Sequence, residues 1–424
     1  MKNMNFPGEE KLRINTAQVK PTMVTKLAEN VFVFQYFGAS NALLVVGDDA
    51  CILVDAFESD GYALEAKKEI EKITNKAVKT IIYTHTHADH TGGASVFSET
   101  VDCIIGHVSH VPVIGRQDQI AHEAQKRALH QFGVALSLEE SISMGLNPAV
   151  APNGSPKPMP VTQFVDGDVT EMNIYGVDVK LIAVPGETDD EQAVWLPEQK
   201  ILCSGDNYYA SWPNLCALRG STYRDVDQWV TSLGKYLTYP AEYLVPGHGE
   251  ILVGQQEIIE VIGNYRDAIE WVLDQTLKGV DEGKTPDELV NTIRLPEKWA
   301  NLPYLQEYYG TIAWSIRGIY DGYIGWFDGN PTHIGTMPVK ERAEKLLAMM
   351  GGEIAVCDEV KDALKKNDMQ WVMELCDILL NAEVSVPNAR KWKAEACVYL
   401  GRMQVSANGR HYYLSCAKEM ERNA

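Results

Sequence analysis

The sequence lacks several features that would assign it to a particular class of protein. Its 38 lysines and arginines stand against 58 aspartates and glutamates, which gives a net charge of −20 and argues against nucleic acid and anionic membrane surfaces as partners. No stretch approaches the ~18 apolar residues of a membrane span. The N-terminus lacks the apolar run of a secretory signal. We therefore expect a cytoplasmic protein with no nucleic-acid and no membrane partner.

The cysteines form no disulfide or metal framework. The eight of them are scattered and include no C-x-x-C pair: Cys51, Cys103, Cys203, Cys216, Cys357, Cys376, Cys397 and Cys416. Such residues are typical of small buried apolar side chains in a reducing compartment. At 424 residues with 45% hydrophobic content, the chain is long enough for two or more globular domains.

Histidine is scarce, yet three of the ten histidines stand within six positions. The stretch 84–93 has the sequence T-H-T-H-A-D-H-T-G-G and follows a run at 78–83 that is typical of a buried strand. His85 and His87 point to one side of an extended segment, and Asp89 and His90 can turn to a second centre once the chain bends. This spacing predicts a metal site for which zinc is suited. The alternative is a polar loop that holds histidines by chance.

The pattern of elements is that of a layered α/β domain followed by helices. Strands are predicted at 30–37, 41–46, 51–55, 78–83, 172–184, 193–196, 200–204 and 244–246. Helices are predicted at 60–73, 258–277, after an N-cap at 285, at 339–350 and at 387–400. Residues 1–24 are predicted to be irregular and 146–161 to form a loop. We predict a metal-binding α/β domain over 1–255 and an all-helical part over 256–424.

Four further residues at strand-to-loop junctions are candidates for a binuclear site. Asp55 ends an early strand, Glu187 lies in P-G-E-T, Asp206 in S-G-D-N and His248 in P-G-H-G. Sheets of α/β domains place their sites at such junctions. We interpret Asp55 as a residue that orients a ligand histidine.

Other polar residues near these motifs have simpler interpretations. Only the P-G-E-T register favours Glu187 over Glu191, and Asp189, Asp190 and Glu191 are interpreted as solvated loop acids. The remaining histidines are interpreted as structural or exposed, with His130 the one candidate for lining a pocket: His107, His110, His122, His130, His333 and His411.

The order of these motifs resembles that of the metallo-β-lactamase superfamily. The resemblance implies an αββα sandwich that holds two zinc ions. It implies these ligands: His85 and His87 on the first metal, Asp89, His90 and His248 on the second, Asp206 between both, and Glu187 as third ligand of the first. Asp89 and Asp206 are the catalytic carboxylates by the same resemblance. The superfamily normally has histidine where this chain has Glu187.

A glutamate at that position is a mark of the alkyl sulfatase branch. The stretch P-N-L-C-A-L-R-G at 213–220 resembles the sulfate-holding motif of the branch, which implies that Asn214 and Arg219 bind substrate. The C-terminal part resembles the helical dimerisation domain of the branch and implies a homodimer. The similarity is carried by Y-R-D-A, Y-Y-G-T and G-W-F-D-G-N-P, at 265–268, 308–311 and 325–331.

The chain departs from the branch in three features. The branch usually bridges its metals with glutamate, whereas this chain has Asp206. It carries tyrosine near the substrate sulfate, where this chain has H-Q-F-G at 130–133. Members often end in a sterol-carrier-like domain, which this sequence does not contain.

The chemistry that follows is metal-assisted ester hydrolysis. Two zinc ions can share a hydroxide at neutral pH because they lower the pKa of bound water. Glu187 adds negative charge to the site, so an anionic sulfate needs the fork of Arg219 and a donor such as Asn214. We predict an enzyme with two Zn²⁺ per chain that releases inorganic sulfate from small-molecule alkyl sulfate esters. Whether the C–O or the S–O bond breaks, and which alcohol is esterified, stay open.

Two other functions fit the same residues. The chain could hydrolyse another ester, a lactone, a thioester or a phosphodiester on the same fold. It could instead be a non-catalytic helical scaffold with a structural metal, although such a site needs no bridging carboxylate. Arg219 could form a surface salt bridge and Asn214 could be structural. An aromatic cluster could form helix packing, a dimer interface or a wall for an alkyl chain: Trp314, Tyr320, Tyr323, Trp326 and Phe327.

Overall fold

A computed structural model describes residues 5–110, 117–147, 149 and 151–422. Its strands are β1 (Met23–Ala28), β2 (Val31–Gln35), β3 (Ala42–Val46), β4 (Cys51–Val54), β5 (Val78–Ile82), β6 (Cys103–His107), β7 (Gln163–Val165), β8 (Val169–Ile174), β9 (Val177–Ala183), β10 (Gln192–Leu196), β11 (Ile201–Gly205), β12 (Tyr243–Pro246) and β13 (Leu252–Val253). Its helices are α1 (Pro7–Ala17), α2 (Asp60–Ile73), α3 (Ala88–Thr91), α4 (Ala121–Gln131), α5 (Leu138–Ser141), α6 (Val226–Tyr236), α7 (Gln255–Asp281), α8 (Pro286–Thr292), α9 (Glu297–Ala300), α10 (Ile312–Ile324), α11 (Val339–Met349), α12 (Glu353–Lys366), α13 (Met369–Asn381), α14 (Val386–Met403) and α15 (Ala407–Arg422).

The strands form two mixed sheets. Within the described residues, one sheet runs β1-β2-β3-β4-β5-β6-β7 and the other β13-β12-β11-β10-β9-β8. Strands β4 to β7 are parallel to one another, as are β11 and β12. Because parallel strands end at the same edge of a sheet, each sheet presents one edge at which several loops meet.

Alternating side chains of the strands fill layers on both faces of each sheet. In β3, Leu43 packs between the two sheets and Leu44 packs outward beneath α2. In β10, Val194 packs inward and Trp195 outward, against helices α6 and α7. A strand buried on both faces must be apolar at nearly every position, which explains its continuous apolar run. The predicted αββα sandwich followed by helices is confirmed.

Helix α7 begins two residues after β13 and continues the packing of the second sheet. One apolar core joins Leu233 of α6, Ile262 of α7 and Ile316 of α10. Helices α11 to α15 pack in sequence on cores of their own. The domain boundary at residue 255 stays a prediction. None of the helices in the described ranges combines the length and the apolar character needed to cross a bilayer.

The prediction that residues 1–24 are irregular was wrong. Helix α1 lies there, although Leu12 is its one fully buried large apolar side chain. The helix is held by the far end of the chain, because Gly8 lies against the backbone of Met403 and the Phe6 ring packs edge-on to Tyr399 at 5.4 Å. Contacts between segments nearly 400 residues apart leave no trace in a local hydrophobic pattern.

Glu9 forms the polar part of this connection. Arg402 Nε and Arg410 Nη1 donate to Glu9 Oε2 at 2.8 and 3.0 Å, and the Glu9 and Arg410 side chains are 13% and 4% exposed. Burial raises the pKa of Glu9, but the two arginines outweigh burial and hold it at about 2, below its usual 4.5. The ion pairs of Glu9 with Arg402 and Arg410 therefore stabilise the fold while Glu9 is ionised.

We expect Glu9→Gln to destabilise the protein by about 3 kcal/mol at pH 7, because it removes the charge partner of a buried arginine. Since the folded pKa lies below the unfolded one, the contribution is complete above about pH 4.5 and declines as the pH falls towards 2. Chemical denaturation across this pH range measures it. Exposed Glu10→Gln is the matched control. An equal effect of both substitutions, or a difference independent of pH, would contradict this assignment.

Candidate metal centre

The centre lies where the ends of two parallel strand pairs meet. Asp55 follows β4, and the histidine motif follows β5 in the first sheet. Asp206 follows β11 and His248 follows β12 in the second sheet. These four strand-to-loop junctions thus lie on one side of the sandwich, as expected for the carboxyl ends of neighbouring strands.

Hydrogen bonds join the two sheets across this edge. The Asn41 amide donates to the carbonyls of Pro246 and Gly249 at 2.9 and 3.0 Å. Gly247 lies so close to Asp206 Oδ1 and the His90 ring that any Cβ would collide with them. Only glycine therefore permits the P-G-H-G turn to approach the Asp206 carboxylate closely.

Six of the seven predicted ligands fall into two groups that share Asp206. The donor atoms within each group lie within 4.8 Å of one another, and the groups are Asp89, His90, Asp206 and His248, and His85, His87 and Asp206. His248 Nε2 lies 3.0 Å from Asp206 Oδ2 and 3.3 Å from Asp89 Oδ2. His90 Nε2 lies 3.3 Å from Asp206 Oδ1. The Asp206 carboxylate thus stands between the two groups.

Glu187 lies beside the group formed by His85, His87 and Asp206. Its Oε1 is 3.8 Å from His87 Nδ1, which in turn is 2.9 Å from His85 Nε2. Its backbone N–H donates to the side chain of Asn207 at 2.9 Å. The carboxylate is thereby directed towards the two imidazoles.

In three of these histidines, a hydrogen bond at ring nitrogen Nδ1 fixes the orientation of the side chain. Asp55 Oδ2 accepts from His90 Nδ1 at 2.7 Å, the orienting contact that the sequence predicts. Thr84 Oγ1 lies 3.0 Å from His85 Nδ1 and donates to the same Asp55 oxygen at 2.9 Å. His248 Nδ1 donates to the Ala39 carbonyl at 2.7 Å. In each of the three, Nε2 is therefore the ring nitrogen that faces the other donor atoms of its group.

Unpaired polar atoms and charge show that the site fits a cation. Among the described residues, His90 Nε2 and Asp206 Oδ1 are buried without a hydrogen-bond partner, a costly arrangement unless something else binds them. Burial lowers the pKa of His248, but Asp206 and Asp89 outweigh it and raise that pKa to about 10. Without a metal cation, a proton on His248 therefore offsets the negative charge of these carboxylates. Nitrogen and carboxylate donors of this kind suit divalent transition metals.

The loop that carries the predicted substrate contacts reaches the centre. Arg219 Nη2 lies 3.2 Å from His87 Nε2, and the Arg219 N–H donates to Gln131 Oε1 at 2.9 Å. Arg219 is thus not the surface salt bridge considered as an alternative. Asn214 is buried, and its N–H donates to the Tyr209 hydroxyl at 2.8 Å. A substrate contact through the Asn214 side chain stays a prediction.

The expectation that the acids following Glu187 are solvated was wrong for two of them. Asp189 is exposed, but Asp190 and Glu191 are each 1% exposed. Glu191 Oε1 accepts the backbone N–H groups of Asp206 and Asn207, so it supports the loop that carries the Asp206 carboxylate. The error has a plain cause, because charge in a turn predicts exposure unless a buried backbone donor needs an acceptor.

None of the remaining histidines whose side chains are described belongs to either donor group. His130 faces Glu419 of α15 at 3.3 Å and packs edge-on to Tyr412, so it does not line the site. His411 is buried between the carbonyls of Gln131 and Ser141. His122 is exposed, and His333 pairs with Asp328 at 2.7 Å. His107 is partly buried at the end of β6, and the side chain of His110 lies outside the described residues.

Residues that the sequence did not single out also approach the centre. Arg224 Nη1 donates to Glu187 Oε2 at 2.6 Å. The Tyr209 ring lies 6.3 Å from that of His248 and 5.6 Å from that of Tyr309. Tyr309 belongs to the helical part, and burial, and then the charges of Glu187 and Asp89, raise its pKa. The net charge of −20 signals a need for local cations, but not which arginine supplies one.

Two family descriptions match separate parts of the chain. Residues 36–248 match the metallo-beta-lactamase superfamily, and residues 285–423 match the alkyl sulfatase dimerisation family. The first covers the sandwich with the metal centre. The second covers the helices from the capped α8 onward.

Individual relatives agree with these families. A linear primary-alkylsulfatase from Pseudomonas sp. is 35% identical over 389 residues, which cover 89% of this chain and 73% of that protein. An alkyl/aryl-sulfatase from Saccharomyces cerevisiae is 28% identical, over 93% of this chain and 63% of its own length. The solved structure of a stereoselective inverting sec-alkylsulfatase from Pseudomonas sp. superposes with a TM-score of 0.90 at 22% identity, over 99% of this chain and 68% of that one. At that identity, the superposition shows the fold alone. The chain therefore belongs to the alkylsulfatase branch of the metallo-β-lactamase superfamily.

Proposed function

We propose that this chain is a zinc-dependent hydrolase that releases inorganic sulfate from linear alkyl sulfate esters. The observation that carries the proposal is the convergence of two donor groups on Asp206, with the Arg219 guanidinium 3.2 Å from one of the ligand histidines. The names of the relatives supply the substrate class. The chain spans 73% of the first of them and 63% of the second, so the activity of the whole relatives is carried over as a proposal.

Each donor group would hold one of two Zn²⁺ ions, which prefer these nitrogen and carboxylate ligands. When bound, the ions supply the Lewis acidity that activates water at neutral pH. The proposed ligands are His85, His87 and Glu187 for the first ion, Asp89, His90 and His248 for the second, and Asp206 for both.

Asp89 is the carboxylate that faces the open side of the site. Its side chain is 32% exposed, whereas that of His90 is fully buried and that of Asp206 is 5% exposed. Water and ester therefore approach past Asp89, whose carboxylate can accept the proton of the attacking water. The Asp206 carboxylate is more buried. Glu191 accepts the backbone N–H of Asp206 and so holds this residue in place.

Arg219 is placed to receive the sulfate group. Its Nη2 donates to His87 Nε2 while that nitrogen lacks a proton. If His87 binds metal through Nδ1, Nε2 carries the proton and two donors face each other. The guanidinium then turns to an anion, and its fork can bind two sulfate oxygens. Asn214 lies on the same loop and is the second proposed contact.

We also propose that the chain acts as a homodimer in the cytoplasm. The match to the dimerisation family supports the dimer. So do apolar side chains that the described surface leaves uncovered between 324 and 354, among them Trp326 at 73% exposure and Ile334 at 71%. Two copies that each carry a charge of −20 repel one another, so their contact must rest on apolar burial.

Sulfate release from zinc-loaded protein tests the activity directly. Linear primary alkyl sulfates from butyl to dodecyl are the substrates, and we expect Arg219→Ala to lower kcat/KM by about 10²-fold, because a charged hydrogen-bond fork is lost. Arg317→Ala, an exposed arginine on α10, is the control and should retain full activity. No sulfate from any chain length, with two zinc ions bound, would refute the assignment and direct attention to lactones, thioesters and phosphodiesters.

Substitution of Asp55 tests the orienting hydrogen bonds. We expect Asp55→Asn to weaken zinc binding by about 10- to 100-fold, because Asp55 orients His90 directly and His85 through Thr84. Thr84→Val removes the hydrogen bond to His85 alone and should weaken the binding of one zinc ion only. Zinc titration against a chelating dye measures both. A larger loss for Thr84→Val than for Asp55→Asn would show that the Asp55 contact is not the main support.

Sedimentation velocity tests the dimer. We expect Trp326→Glu to halve the mass of the wild-type particle, since a buried carboxylate at an apolar contact is costly. Ile14→Glu, at a position 57% exposed on α1, should leave the mass unchanged. A wild-type monomer, or a Trp326→Glu variant of wild-type mass, would refute this interface.

A further inference from the structure

We propose that Arg224 is a positioning residue of the metal centre, which neutralises the Glu187 carboxylate and presents one of its oxygens to the metal. The inference rests on the metal-binding part of the proposed function. It requires neither a sulfate ester nor hydrolysis. The residue lies five positions after Arg219.

The Arg224 guanidinium is buried against Glu187. Nη1 donates to Glu187 Oε2 at 2.6 Å, and the two side chains are 3% and 5% exposed. The other carboxylate oxygen, Oε1, faces His87 Nδ1 at 3.8 Å. The contact thus divides the carboxylate into one oxygen for the arginine and one for the histidine group. Glu187 can therefore act as a ligand through a single oxygen with its orientation fixed.

Charge gives the second argument. Glu187, Asp89 and Asp206 lie within one small centre, and a buried carboxylate without a partner is strongly destabilising. Within the described residues, Glu187 is the one carboxylate in salt-bridge contact with Arg224, whereas Arg219 contacts His87. The ion pair of Arg224 and Glu187 is neutral overall. The pair thus supplies a ligand oxygen without adding net negative charge to the centre.

The same guanidinium also connects the metal ligand to the substrate loop. Nη1 donates to the carbonyl oxygen of Asn214, in the loop that continues to Arg219. Within the described residues, the two hydrogen bonds of the guanidinium both leave from Nη1, so one atom joins the Glu187 carboxylate to this loop.

Zinc affinity in a double-mutant cycle distinguishes this role from a structural one. The variants are Arg224→Met, Glu187→His and the two combined, measured by zinc titration of the metal-free protein against a chelating dye. Arg224→Met should lower the affinity for one of the two zinc ions by about 10- to 100-fold. In the Glu187→His background the same change should cost less than about threefold, because a neutral imidazole needs no counter-charge. Arg317→Met is the control for removal of an arginine elsewhere.

Equal losses in the Glu187 and Glu187→His backgrounds would overturn the proposal, since Arg224 would then serve only to anchor the loop through Asn214. Unchanged affinity in Arg224→Met would overturn it as well. If Arg224→Met does not fold, Arg224→Lys keeps the charge without the second contact and is compared in the same two backgrounds. Wild-type protein that binds two zinc ions but releases no sulfate would refute the activity and leave this inference standing. Wild-type protein that binds no zinc would refute both.

Discussion

The structure depends on keeping several carboxylates together in a buried space. Asp206 stands between two groups of histidines, and burial alone would raise the pKa of its carboxyl group. Instead, His90 and His248 hold the pKa of Asp206 well below its ordinary value. Such a cluster is stable only with compensating charge, which must come from imidazolium, guanidinium or a metal cation. This requirement explains why a chain with a charge of −20 directs two arginines into one loop.

The sandwich meets this requirement because it brings the ends of parallel strands from two sheets to one edge. The segment after β5 contributes four of the proposed ligands and the segments after β9, β11 and β12 contribute one each, so no single segment carries the whole set. The helical part contributes as well. Tyr309 lies beside the centre, and Gln131, which supports Arg219, accepts a hydrogen bond from His411 of α15. The site is therefore a product of both parts of the chain, although its proposed metal ligands all come from the first.

The sequence predicted the parts of this centre that local chemistry determines. Three histidines after a strand, a glutamate in P-G-E-T and a histidine in P-G-H-G are visible because strand ends in such sheets are known places for ligands. The contact between Asp55 and His90 was predictable for the same reason. What could not be predicted depends on pairs that are distant in sequence. Glu191 is buried because Asp206 needs an acceptor for its N–H, and α1 forms because Arg402 and Arg410 lie beside it.

Arg224 shows this limit most clearly, because the need for it follows from the sequence while its identity does not. A glutamate among metal ligands adds a charge that a histidine would not, so a cation close by is expected on electrostatic grounds alone. Arg219 and Arg224 lie five residues apart in the sequence, and their charge does not distinguish the one that pairs with Glu187. In the folded chain one contacts the outer nitrogen of a ligand histidine, while the other pairs with the ligand carboxylate. Charge balance therefore predicts that such a site needs a cation, and only the packing of the loop decides which arginine pairs with Glu187.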